Sequence, residues 1–414
     1  MPELFYIDNN KNREICWESL IADINSTKEF CPYIHDEDYY QVFKQIIISL
    51  LLNQEVTLVD SDFSSEELQG LFDGVKLVEK VPVKIPEIGQ DRLSLIKKLT
   101  DSDKSNWRIT LFTSGTTGLP KKVSHTFESI SRFVHKSERH NDDVWGYAYN
   151  ATHMAGVQVF FQALMNGNTI VKLFKESRQD IFDLIRRYSV THISSTPTFY
   201  RLLLPSDSVF PSVKRLTSGG EKFDSTTLAS LNSMFPNAKI TNVYASTEAG
   251  TLFASKGDTF ILKAAMDGLV KVENGLLYIH KTLLGQSESI KLEGDWYKTG
   301  DIVDVINDSP LEFKFVSRQN EMINVGGYKV NPEEVEQALR EIDSIKDVVV
   351  YAKPNRLLGN VVCCDIIPIK SETIDELAIR KYLSTRLQDF KIPRLFKIVD
   401  EISTTRSGKV KRVR

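Results

Sequence analysis

Cysteine is scarce in this chain of 414 residues. The four present, Cys16, Cys31, Cys363 and Cys364, have neither zinc-ligand spacing nor the pattern of a disulfide framework. The adjacent Cys363 and Cys364 sit in an apolar run, Val361–Ile367, and are expected to be buried strand residues. Long apolar stretches are missing as well. The most apolar one, Ile46–Leu52, is far shorter than the ~20 residues a membrane helix needs, and it reads as part of a core helix. The first ten residues have neither the basic start nor the apolar core of a signal peptide. Neither sign of charge dominates: 52 Lys and Arg face 55 Asp and Glu, for a net charge of −3. A short basic tail, Lys409–Arg414, is too small for a nucleic-acid arm, so nucleic acid and membrane insertion are not expected. No repeat or low-complexity segment is visible. These absences leave an ordinary globular chain with a cytoplasmic home, long enough for two or three domains.

The hydrophobic pattern predicts an α/β multidomain protein. A helix from about Gln41 runs into a strand, Glu55–Val59, and another strand spans Arg108–Phe112. Beyond it, Thr169–Leu173, a helix over Arg178–Tyr188 and Val190–Ser194 continue an alternation that implies buried strands layered with helices. After Asp301 the pattern changes to a small α+β unit. It has strands at Glu312–Val316, Val348–Ala352 and Val361–Ile367, and a helix from about Ile374 to Leu387. A further helix starts at Asn331-Pro332, a good cap followed by proline at the first helical position. The expected division is a large domain over 1–317 and a small mobile one over 318–414.

The strand ending at Phe112 leads into Thr113-Ser-Gly-Thr-Thr-Gly-Leu-Pro-Lys-Lys122. Glycines let backbone amides turn toward a common point, and hydroxyls add donors. Donors beside a lysine suit a polyphosphate. The segment is not a P-loop, because no Lys-Ser or Lys-Thr follows its glycines at that spacing.

This loop resembles the phosphate loop of the adenylate-forming superfamily, which includes acyl-CoA synthetases, adenylation domains and luciferases. The family's other motifs follow in order. Ala151-Thr-His-Met-Ala-Gly156 resembles its His-x-x-Gly segment, and Leu216–Lys222 resembles its Gly-Gly-Glu turn. Asn242–Gly250 is similar to its Tyr-Gly-x-Thr-Glu signature, and Trp296–Asp301 to its Thr-Gly-Asp. Thr404-Thr-Arg-Ser-Gly-Lys409 is similar to its terminal lysine motif. The likeness spans about Thr110 to the last residue.

The resemblance implies ATP, Mg²⁺ and coenzyme A, or a carrier-protein phosphopantetheine arm, together with a small-molecule carboxylic acid. Phosphates would be held by Thr113, Ser114, Gly115, Thr116, Thr117, Gly118 and Lys121. Adenine would lie against Gly219, Gly220, Glu221, Asn242, Tyr244, Ala245 and Ser246. The α-phosphate would meet Thr247, the metal Glu248, and the ribose Asp301 and Arg318. Lys409 would reach the reacting carboxylate. Gly326, Gly327 and Lys329 would border the pantetheine path. His153, Met154, Val157 and Ser218 would line the acyl pocket.

Three departures from the family pattern stand out. Asn320 occupies the hinge position, Ala245 replaces a glycine after Tyr244, and the part before the phosphate loop looks shortened. The segment Thr152–Phe160 lacks the aspartate that amino-acid-activating relatives use, so an α-amino acid is not expected. Met154, Val157, Phe160 and Phe161 fit an apolar or aromatic acid, and fit core residues equally well. The leading reading is an acyl- or aryl-CoA ligase. A carrier-protein ligase is the alternative, and a non-catalytic nucleotide binder or a luciferase-like oxygenase is further off.

Overall fold

The computed structural model describes residues 3–75, 77–113, 120–219, 225–255, 257–319, 321–325, 328–355, 359–369, 374–404, 410 and 412. They fall into two compact units. One comprises Met1–Phe223, Ala229–Gly257 and Ile279–Tyr297; the other comprises Asp224–Leu228, Asp258–Tyr278 and Lys298–Arg414. The boundary expected after residue 317 falls within a strand of the second unit.

The chain opens with β1 (Leu4–Asp8), β2 (Arg13–Cys16), α1 (Trp17–Asn25), β3 (Glu29–Phe30) and β4 (Tyr33–Ile34). There follow α2 (Tyr39–Leu52), β5 (Val56–Leu58), α3 (Ser65–Phe72), β6 (Val81–Pro82) and α4 (Arg92–Asp101). Next come β7 (Arg108–Thr113), β8 (Lys121–Thr126), α5 (Phe127–Ser131), β9 (Val144–Tyr147), α6 (Met154–Met165) and β10 (Thr169–Lys172). Then α7 (Arg178–Arg187), β11 (His192–Ser195), α8 (Pro197–Leu202), β12 (Arg215–Gly219), α9 (Ser225–Met234), β13 (Lys239–Ser246) and β14 (Gly250–Ser255).

The main sheet has eight strands in the order β14-β13-β12-β11-β9-β10-β1-β2. Its six inner strands run parallel, and antiparallel β14 and β2 form the edges. A second sheet, β4-β5-β7-β8, carries the expected loop strand, and β3 pairs with β6. Parallel strands covered on both faces need apolar residues throughout, which is why the short runs in the sequence were readable as strands.

α6 is apolar on nearly every side, and a helix of that kind is buried all round. Phe160 stacks on Phe43 of α2 with centroids 4.4 Å apart and planes 6° from parallel, and Phe161 lies 5.8 Å from Trp107. Phe160 and Phe161 are therefore core residues. Gly156 permits the close packing: a Cβ there would lie 2.1 Å from the Asn150 carbonyl oxygen.

The second unit carries β15 (Thr259–Ile261), β16 (Val270–Glu273), β17 (Leu276–His280), β18 (Leu292–Glu293), β19 (Trp296–Asp308) and β20 (Leu311–Arg318). They form a six-stranded sheet, with β18 and the ends of β17 and β19 belonging to the first unit. Then come β21 (Ile323–Val325), β22 (Tyr328–Val330), α10 (Pro332–Arg340), β23 (Ile345–Asn355), β24 (Gly359–Pro368), α11 (Glu376–Ser384) and β25 (Leu395–Ile398). This sheet runs β22-β21-β24-β23, with β25 on β24. The Asn331 side chain caps α10 by accepting from the Glu333 amide, and Pro332 opens the helix as expected. Cys363 and Cys364 are both buried in β24. Among the described residues, no helix is long and apolar enough to cross a membrane.

Candidate active site

In the main sheet, β9 connects through α6 to β10 on one side, whereas the next strand, β11, lies on the other side of β9. Open parallel sheets bind ligands outside the carboxyl ends of their strands, where the order reverses in this way. The segments leaving β9, β11, β12 and β13 at that end carry His153, Ser195, Gly219 and Ser246–Glu248.

The first of these segments turns at Asn150 and starts α6 with His153 as its cap residue. His153 Nε2 lies 2.7 Å from Asp60 Oδ2, and Asn150 Nδ2 donates weakly to both Asp60 oxygens at 3.4 and 3.5 Å. Asp60 follows β5, so this pair joins the two sheets. Burial pushes the Asp60 carboxyl up, but the His153 hydrogen bond and charge outweigh it and hold the group below its usual range. Met154 and Val157 are buried, and His153 remains partly exposed at 18 %.

The Ser246–Gly250 turn is fixed from three directions. Ser246 Oγ accepts from the Ala249 amide at 3.2 Å. The Thr247 carbonyl is 2.7 Å from His125 Nε2, and the Glu248 carbonyl accepts from the Gly285 amide at 2.7 Å. A carbonyl can only accept, so His125 carries its proton on Nε2, and Nδ1 takes the Ser129 hydroxyl at 2.9 Å. Burial holds His125 below the ordinary histidine value, so it stays neutral in this role. Gly285 fits because nothing larger would: a Cβ there would meet His125 Cε1 at 2.6 Å. At the turn's far end Gly250 has φ +68°, a left-handed conformation that suits glycine.

Beside this turn, Gly219 pairs with Val243, and a Cβ on Gly219 would meet Val243 Cγ2 at 2.7 Å. Ser218 is buried and its Oγ has no hydrogen-bond partner among the described residues. Tyr244 stacks on Phe253 at 5.5 Å. β13 and β14 shift register between Tyr244 and Ala245, and Asn242 Nδ2 reaches the Gly257 carbonyl at 3.5 Å. A flat ring, a glycine edge and an orphaned hydroxyl fit a nucleotide base with a polar ligand beside it. Glu248, a hard oxygen donor on a clamped turn, fits Mg²⁺.

β7 and β8 pair as far as Thr113↔Lys121, so the two ends of the glycine-threonine segment emerge side by side. Ser114, Gly115, Thr116, Thr117 and Gly118 lie outside the described residues, as do Gly220 and Glu221.

In the second unit, Asp301 and Arg318 are register partners across β19 and β20. Arg318 Nε lies 2.9 Å from Asp301 Oδ1, and Asp301 is buried while Arg318 is exposed. The two residues assigned to the ribose thus stand together. Lys329 pairs with Asn324 along β21 and β22. Gly326, Gly327, Asn320 and Lys409 lie outside the described residues. Flanking Lys409, Thr404 bridges to Val410, and Arg412 Nη2 lies 2.8 Å from the buried Glu336.

Asp60 and Gly285 went unread in the sequence. Asp60 lies 93 positions from His153, and only its place just after a predicted strand hinted at a site. Gly285 belongs to no motif.

The AMP-binding enzyme family model matches residues 45–269, and the AMP-binding enzyme C-terminal domain matches 334–409. The 2-succinylbenzoate–CoA ligase of Listeria monocytogenes serotype 4b (strain F2365) is 26% identical over 399 residues, covering 88% of this chain and 82% of the relative. Among solved structures, o-succinylbenzoate CoA synthetase from Bacillus subtilis bound to its acyl-adenylate OSB-AMP aligns with a TM-score of 0.69 at 19% identity, covering 99% of this chain and 94% of that one. ATP-bound MatB from Rhodopseudomonas palustris aligns at 0.73 and 16%, with the same coverage. The fold is that of a large domain and a small carboxyl-terminal one in adenylate-forming ligases, and the chain belongs to the AMP-binding enzyme family.

Proposed function

We propose that this protein is an ATP-dependent acid–thiol ligase that makes an acyl-adenylate and passes the acyl group to coenzyme A. The Thr247–Glu248 turn carries the reading: it is held by His125 and Gly285 at the carboxyl ends of the central strands, next to Gly219 and the unsatisfied Ser218 hydroxyl.

In the first half-reaction a carboxylate oxygen attacks the α-phosphorus and pyrophosphate leaves. The barrier is the approach of two anions. Bound Mg²⁺ supplies positive charge to the phosphates. Glu248 would hold that ion. The clamped backbone keeps the Thr247 hydroxyl and the Glu248 carboxylate from reorganising as charge builds. Lys409 would add a cation at the reacting oxygens, and the donors of the 113–118 segment would hold the departing phosphates.

In the second half-reaction the thiol sulfur attacks the acyl carbon, AMP leaves, and the thiol proton passes to solvent. Residues 318–414 are the piece that would move between the two steps, pivoting near Asn320, with Gly326, Gly327 and Lys329 bordering the thiol's path. Asp301 and Arg318 would hold the ribose. The curated relative named above is a CoA ligase, which supports CoA as acceptor. Four unpaired cysteines support a reducing, cytoplasmic setting.

The test is pyrophosphate exchange over aromatic, short-chain and long-chain acids with Mg²⁺, followed by thioester formation with CoA and with a holo-carrier protein. Acid-dependent exchange and a CoA thioester are expected. Nucleotide binding without exchange for any acid would leave a non-catalytic binder instead.

A further inference from the structure

At the end of the main sheet opposite the crevice, two imidazoles and a carboxylate converge. His140 ends a short 3-10 turn, Asp143 immediately precedes β9, and His192 is the first residue of β11. His140 Nδ1 lies 2.7 Å from Asp143 Oδ2, and His192 Nε2 lies 3.6 Å from the same oxygen. The three candidate ligand atoms all lie within 4.8 Å of one another. Asp143 and His192 are buried, while His140 opens partly to solvent and leaves a way in.

His192 is 4 % exposed, and its Nε2 is shielded from solvent without a hydrogen-bond partner among the described residues. The other ring nitrogen is held. Nδ1 lies 2.8 Å from Thr191 Oγ1, which accepts from the Val144 amide at 2.8 Å and donates to the Val144 carbonyl at 3.2 Å. With its one proton given to that carbonyl, the hydroxyl can only accept from Nδ1–H. The Nε2 lone pair is then left facing a carboxylate. Two electron-rich groups aimed at each other in a buried place repel, and a cation between them would satisfy both.

We propose that His140, Asp143 and His192 form a zinc-binding site with three protein ligands. Two imidazole nitrogens and one carboxylate oxygen suit Zn²⁺, whereas Mg²⁺ and Ca²⁺ prefer oxygen alone.

Zinc bonds of ~2.0–2.1 Å in a tetrahedron set ligand atoms about 3.4 Å apart. The His192–Asp143 separation is already close to this, and His140 must withdraw from Asp143 by about 0.7 Å. It sits on a partly exposed turn that can give, and water would take the fourth position. The surroundings are those of a supported site. Thr191 orients His192, and Asn168 donates to the His140 carbonyl while accepting from Trp145 Nε1 at 3.2 Å. An ion here would tie the 138–143 turn to β11, well away from the adenylating chemistry.

The experiment is titration of chelator-stripped full-length protein with Zn²⁺ alone, read by calorimetry and thermal unfolding, with Co²⁺ absorption reporting coordination. The proposal expects one equivalent bound, a rise in Tm, and tetrahedral Co²⁺ bands. It expects His140→Ala and His192→Gln to weaken binding at least tenfold. If His192→Gln fails to fold, His140→Ala alone decides, since its position is partly exposed. Absence of saturable binding would overturn the proposal. So would unchanged affinity in His140→Ala, or an equivalent lost in Glu248→Gln instead, which would put the ion at the nucleotide turn.

Discussion

Asp60→Asn is a change of one atom, yet the hydrogen bonds around Asp60 predict a reversal rather than a simple loss. The carboxylate takes the His153 Nε2–H at 2.7 Å on Oδ2 and the Asp62 amide at 3.0 Å on Oδ1. An asparagine has one acceptor oxygen and one NH₂ group that only donates, and the Asp62 amide can only donate as well. The amide oxygen must therefore stay with Asp62, which turns the NH₂ toward His153. In the neutral ring, Nε2 then becomes the acceptor and the proton moves to Nδ1. The structure loses a charge-assisted hydrogen bond and gains a neutral one, a cost of about 1–2 kcal/mol. Any substrate group that meets Nδ1 finds a donor where an acceptor stood. A mismatched polar contact of about 1–3 kcal/mol corresponds to roughly 5- to 150-fold in affinity.

The assay is pyrophosphate exchange with acid and ATP varied separately, alongside thermal unfolding. KM for the acid should rise at least fivefold while KM for ATP stays within twofold. Because the Asp60 carboxyl is held below its usual range, its contribution to stability is present above about pH 4 and lost as pH falls through the lower folded value. The stability gap between wild type and Asp60→Asn should accordingly close in strong acid. Equal Tm and unchanged KM for the acid at neutral pH would refute the reasoning.

Three further outcomes are expected. Lys409→Ala should abolish adenylate formation yet spare thioester formation from a synthetic adenylate, and an equal fall in both would contradict the assigned role. Gly156→Ala should destabilise by about 1–3 kcal/mol or prevent folding, since its Cβ would lie 2.1 Å from the Asn150 carbonyl oxygen; chemical denaturation measures it. His125 resists its proton in the native state because it is buried. As pH falls below about 6.5 the unfolded chain gains a proton that the native chain does not, so stability declines. Thermal unfolding from pH 7 to 5 should show the decline, and His125→Gln should blunt it.

Much of this was legible in the sequence, because each ordered motif pairs a residue type with a chemical need. Glycines and threonines suit phosphate, a glutamate suits a hard cation, and an aspartate beside an arginine suits a diol. The strands were legible because parallel strands covered on both faces are written as unbroken apolar runs. The pocket was not. Phe160 and Phe161 looked equally fit for a substrate wall and for a core, and only the stacking on Phe43 and the contact with Trp107 decided it. Asp60 and Gly285 stayed hidden for a related reason: what they do depends on a partner more than ninety or thirty positions away along the chain, and no local periodicity encodes such a meeting.

The Gly285 amide bonded to the Glu248 carbonyl has one more implication. Linkage between two sites is reciprocal. If occupancy of the turn makes that hydrogen bond harder to open, the bond in turn favours the occupied turn. The 281–286 segment would then act as a silent witness to nucleotide: deuterium uptake at Gly285 should slow when ATP and Mg²⁺ are added, before any acid is present and with no turnover.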